Sequence, residues 1–107
     1  MSTVSGLTAQ YSATDHTVTV TGQAAANATV CVLLNPDLSG ISDGQICDRF
    51  NDIPALDKKS KSNAGPFSLV LNAGTVVPPN LNVVLATTDG KALRPIVLAS
   101  STTQHSG

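Results

Sequence analysis

The sequence predicts an all-β protein, a two-sheet sandwich of about seven antiparallel strands. Three observations carry the expectation. All seven acidic residues are Asp and none is Glu, and Asp favours turns and caps where Glu favours helix. Short runs alternate apolar and polar residues with a period of two. Clusters of Gly, Pro, Asn and Asp separate those runs, and no segment reads as a convincing helix.

Taken in order, Leu7, Ala9 and Tyr11 share one parity across a first strand in residues 3–11. After a turn at Asp15-His16, Thr17–Gly22 alternates strictly, with Val18 and Val20 on one face and three Thr on the other. Gln23 to Asn27 form a small-residue connection. Ala28–Leu34 is apolar on both faces, with Ala28, Val30, Val32 and Leu34 placed inward and Thr29, Cys31 and Leu33 outward. A strand of that kind is central in its sheet or overlaid by a loop, so Leu33 requires cover from the segment that follows.

Residues 37–65 read as a long irregular insertion, with a short strand expected around Gln45–Phe50 and an exposed loop over Lys58–Asn63. Connections longer than about 12–15 residues are uncommon in compact domains unless they are functional or internally packed. This segment is therefore the favoured place for binding. Pro66–Leu71 is a strand with Phe67, Leu69 and Leu71 inward, and Gly74–Pro79 a loop, because a double proline does not fit inside a sheet. Leu81–Thr87 turns inward through Leu81, Val83 and Leu85. Asp89-Gly90 signals a hairpin into a last strand, Leu93–Ala99, bent at Pro95 and confined to an edge. Residues 1–99 thus form one domain, and 100–107 a polar tail that frays unless a partner holds it.

Thr19-Val20-Thr21-Gly22, the small-residue linker after it, and Ala28-Thr29-Val30-Cys31-Val32 resemble the start of bacterial immunoglobulin-like modules of large surface proteins. Gly65-Pro66-Phe67-Ser68-Leu69, Leu81–Leu85 and Asp89-Gly90 resemble the later strands and turn of the same modules. The resemblance covers about three quarters of the chain and implies an immunoglobulin-like sandwich. The 37–65 insertion is longer than in those repeats, and their Asp-x-x-Gly-Asn turn is absent.

Chemistry is sparse. Cys31 and Cys47, sixteen positions apart, are the only cysteines and form a disulfide candidate; the alternative is a pair of reduced thiols buried as small hydrophobes. Asp37, Asp43, Asp48 and Asp52 are weak calcium candidates, since Asp43-Gly44 lacks the spacing of a calcium loop. Neither zinc nor another cofactor is expected. His16 and His105 fall in a turn and in the tail, and no Gly-x-Ser-x-Gly elbow is present, which argues against hydrolysis. Asn27-Ala28-Thr29 is a glycosylation sequon, meaningful only in a eukaryotic secretory route.

Six basic residues against seven acidic ones exclude electrostatically driven nucleic-acid binding, and no aromatic residues interleave the lysines of 58–61. No apolar run approaches the ~20 residues of a membrane span, and the start Met1-Ser2-Thr3 has no basic, apolar export signal. The expected function is non-catalytic: a structural or interaction subunit of a larger assembly, such as a virion decoration, tail or filament component. Its partners would be proteins or further copies, and its setting extracellular or virion-associated. A spacer or adhesion repeat of a bacterial surface protein is the alternative. A carbohydrate-binding module ranks lower, since only Tyr11 and Phe50 are on hand to stack sugars.

Overall fold

The computed structural model describes residues 4–25, 28–62, 65–88, 91–95 and 97–98. Its strands are β1 (Val4–Ser12), β2 (Thr17–Ala24), β3 (Val30–Leu34), β4 (Asp57–Lys61), β5 (Gly65–Asn72), β6 (Val83–Thr87), β7 (Ala92–Leu93) and β8 (Val97–Leu98). They form two sheets, ordered β5-β2-β1-β8 and β4-β3-β6-β7. The expected two-sheet sandwich is what the chain forms. The strand order is that of an immunoglobulin constant-type domain with two departures: β4 pairs with β3 instead of β5, and β8 adds beside β1.

Between the sheets lies the main core. Val18 and Val20 of β2, Val30, Val32 and Leu34 of β3, Leu71 of β5 and Leu85 of β6 are fully buried there. Strict alternation gives β2 one buried face and one Thr face, and the strand continues two residues beyond Gly22. In β1 the alternation changes phase. Val4 and Ala9 have opposite parity yet both enter the core, because the register with β2 slips between Ser5 and Thr8. Gly6 lies within that slip at φ 61°, a left-handed conformation suited to glycine, and the extra residue is a β-bulge.

The run expected as a single bent strand, Leu93–Ala99, is two strands in different sheets. β7 pairs antiparallel with β6, whereas β8 pairs parallel with β1 at Ala9–Val97 and Gln10–Leu98. Pro95 sits between them and has no N–H to give a ladder, so the chain leaves one sheet there and joins the other at its edge. Among the described residues this makes eight strands with one parallel pair, where the sequence predicts about seven antiparallel ones. The β6–β7 hairpin forms as expected, although Asp89 and Gly90 lie outside the described residues.

Two expectations within residues 37–65 are corrected. Gln45–Phe50 is no strand: short 3-10 turns occupy Asp43–Gln45 and Phe50–Asp52 instead. The first opens on a capping box, in which Gln45 Oε1 accepts the N–H of Ser42 at 3.2 Å. Residues 58–61, expected within an exposed loop over 58–63, belong with Asp57 to the edge strand β4. Its pairing with β3 over five residues supplies the ladder that its own lysine-rich sequence does not advertise. Lysines on an edge strand also discourage edge-to-edge association.

Candidate interaction surfaces

The outward side chains of β3 and β6 build a second core. Cys31, Leu33, Val84 and Ala86 pack with Ile46 and Ile53, and Leu38, Ile41 and Phe50 close around them. The segment from Leu38 to Ala55 is thus the cover that Leu33 requires, and Leu33 is fully buried. Cys31 and Cys47 form a disulfide with Cα atoms 5.9 Å apart, fastening that cover to β3. Closing a loop of this length adds about 3 kcal/mol in the chain-entropy description. Most apolar residues of the insertion are committed to this second core, whereas Leu56 is exposed.

The four calcium candidates do not converge. Asp37 Oδ1 accepts the N–H and hydroxyl of Ser39 at 3.1 and 2.7 Å. Those bonds, the side-chain one foremost, hold its carboxyl below the ordinary aspartate value. Asp43 meets Arg94 at 3.3 Å in an exposed ion pair of the kind worth less than about 1 kcal/mol. Asp48 is exposed, and Asp52 ends the second 3-10 turn. Among the described residues no three His, Cys, Asp or Glu side chains gather as a metal site.

His16 occupies an exposed turn at φ 57°. Its backbone ties the turn together: its N–H donates to Ser12 O, and its carbonyl accepts from Ala73, each at 2.8 Å. His105 and Asn27 lie outside the described residues. Neither aromatic candidate for sugar stacking is available. Tyr11 is 4% exposed within the main core, and Phe50 carries the Lys58 ammonium 5.5 Å from its ring centroid. Lys58 also donates to the carbonyl of Phe50 at 3.0 Å, so it braces the covering segment.

The second core leaves the two outer faces of the sandwich unlike. Over β3 and β6 the face is covered. Over β5-β2-β1 no described segment covers it, and the register aligns three rungs across it: Thr8–Thr21–Ser68, Gln10–Thr19–Val70 and Ser12–Thr17–Asn72, with Ser12 itself buried at the strand end. None of these side chains is charged. Thr8 and Thr21 are hydrogen-bonded through their hydroxyls, and Val70 is half exposed. All six basic residues lie between Arg49 and Arg94, on or beside the other sheet and its cover. This face was not singled out from sequence, although the three threonines of β2 were its visible trace.

A second surface lies where β4 and β5, the edges of the two sheets, run side by side. Ser60, Lys61, Pro66, Phe67, Ser68 and Leu69 line an open groove of about 420 Å³ there. At one end of this edge, Asp57 Oδ2 accepts the backbone N–H of Asn72 at 2.8 Å.

No protein-family model, curated protein or solved structure matches the chain. The resemblance to bacterial immunoglobulin-like modules therefore rests on the quoted residues. Among the described residues no helix is long and apolar enough to cross a membrane.

Proposed function

We propose that the protein is a non-catalytic structural module, a subunit of a larger assembly of the virion-decoration, tail or filament kind. It would pack on its neighbour through the outer face of β5-β2-β1. The observation that carries this reading is the set of three uncharged rungs on a sheet face that no described segment covers. Buried interface cores are depleted of charge, whereas a face meant to stay in water is ordinarily studded with it. The disulfide supports an extracellular or virion-associated setting, since such bonds persist where conditions are oxidising.

One observation favours the alternative, a spacer or adhesion repeat. Because β8 runs parallel to β1, the chain enters at one pole of the sandwich and its last described strand points to the other. That is the geometry of domains strung end to end. Burial of Tyr11 and packing of Phe50 weigh against carbohydrate binding.

Size-exclusion chromatography with light scattering, run on the full chain over a wide concentration range, separates the two. The assembly reading expects self-association that Thr19→Lys abolishes, because an unpaired ammonium buried in an interface is costly. A strict monomer with both termini labile to protease would overturn it and leave the spacer.

A further inference from the structure

We propose that the β4–β5 edge takes an extended, acidic segment of a partner protein as an added strand on β5. The inference rests on the protein being an interaction module, and it uses the backbone edge of β5, where Ser68 and Val70 also carry side chains of the uncharged rungs.

Backbone direction comes first. In an antiparallel ladder, successive residues point their N–H and C=O groups alternately to one side and the other. The N–H of Asn72 leaves β2 and reaches Asp57 across the edge. Val70 and Ser68, two and four residues earlier in β5, therefore turn their backbone groups to that same edge. Pro66, next in the series, has no N–H to offer. Among the described residues the edge is thus closed at one end by the Asp57 carboxylate and at the other by proline, with Ser68 and Val70 open between them. A short extended peptide fits that span, and β-strand addition draws its affinity from main-chain bonds of this kind.

Side chains then select the partner. On β4, Lys59 and Lys61 stand opposite Val32 and Val30, whose side chains enter the main core. Their parity is that of Asp57, so they project toward the gap beside β5, and Lys61 lines the groove. Among the described residues neither lysine lies within ion-pair distance of a carboxylate, the ion pair there being Arg94 with Asp43. Behind them, Phe67 and partly buried Leu69 give the groove an apolar floor. The complementary strand alternates carboxylates on its inner side, within reach of the lysines, with apolar side chains on its outer side, beside the half-exposed Val70. A second copy of this chain does not supply it. Its own edges are lysine-rich β4, acid-free β5, and β7 and β8, which hold no carboxylate.

The test uses the full oxidised chain and three labelled heptapeptides: one alternating Asp and Val, its Lys/Val counterpart, and the Asp/Val peptide N-methylated on alternate amides. The Asp/Val peptide should bind at least tenfold tighter than either control. It should slow amide exchange at Ser68 and Val70, and lose its advantage in the surface variant K59E/K61E. Equal binding of the Asp and Lys peptides, insensitivity to N-methylation, or protection on another strand would overturn the proposal. So would self-association that Val70→Pro blocks and Thr19→Lys does not. Peptide binding by a strict monomer upholds this edge and sinks only the assembly reading, while self-association without peptide binding does the reverse.

Discussion

The carboxylate of Asp57 accepts the backbone N–H of Asn72 at 2.8 Å, so a side chain at the edge of one sheet caps the edge of the other. Its other oxygen takes the N–H of Lys58 at 2.9 Å. The strands that meet here, β4 and β5, follow one another in the chain and belong to different layers. One side chain therefore ties the two sheets together at the end of this edge farthest from the passage of the chain from β4 to β5.

Replacing Asp57 with Ala leaves two backbone donors to water. Bonds to charged groups contribute about 1.5–3 kcal/mol, and partial exposure places this pair near or below the bottom of that range. A loss of about 1 kcal/mol is expected in urea unfolding. Asn72 should also exchange its amide faster, which a general destabilisation of the core would not single out.

Reduction of the Cys31–Cys47 bridge should act mainly on the cover. The chain-entropy description gives about 3 kcal/mol for a loop of this size. The main core between the sheets contains neither cysteine. The double variant C31A/C47A should therefore keep the strand signature in circular dichroism. It should unfold at markedly lower denaturant and expose residues 38–55 to protease first. Cleavage beginning in β1 or β2 would contradict a separate, bridge-held cover.

Much of this architecture is legible in the residues. Val18 and Val20 reveal a half-buried strand, and the two apolar faces of Ala28–Leu34 require a cover that Ile46 and Ile53 supply. What escaped has physical causes. β4 reads as a solvated loop because Lys58-Lys59-Ser60-Lys61 has no apolar period, and its strand state comes from pairing with β3. The 3-10 turns are too short for periodicity to register. The uncharged face requires knowing that β2 and β5, distant in the chain, lie side by side.

Asp37 gives a pH-dependent check on the same segment. Hydrogen bonds from Ser39, the hydroxyl first and the amide second, hold its carboxyl below the ordinary aspartate value. A group whose folded pKa is depressed stabilises the protein above its unfolded pKa, and that contribution fades as pH falls through the folded value. The affected window is therefore acidic, below about pH 4. Ser39→Ala removes the larger cause, so the Asp37 carboxyl should titrate at higher pH by NMR. Stability near neutrality should scarcely move, since the site is exposed. An unchanged titration would place the cause elsewhere.

Gly22 faces the main core where its strand neighbours carry Val20 and Ala24, and the ring of Phe67 on β5 lies across it. A Cβ at this position would stand 3.0 Å from Phe67 Cζ and 3.2 Å from the backbone oxygen of Ser5. The ring can swing by a few tenths of an ångström; the backbone oxygen, fixed by the β1–β2 pairing at Ser5–Gln23, yields less easily. Overpacking of this kind costs about 1–3 kcal/mol, so Gly22→Ala should lower the urea midpoint without changing the slope. The companion change Phe67→Leu withdraws the ring edge and creates space of its own. The two substitutions should then be non-additive, with the double variant more stable than the sum of the single losses by about 0.5 kcal/mol or more. Strict additivity would mean that Ser5, not Phe67, sets the limit on this position.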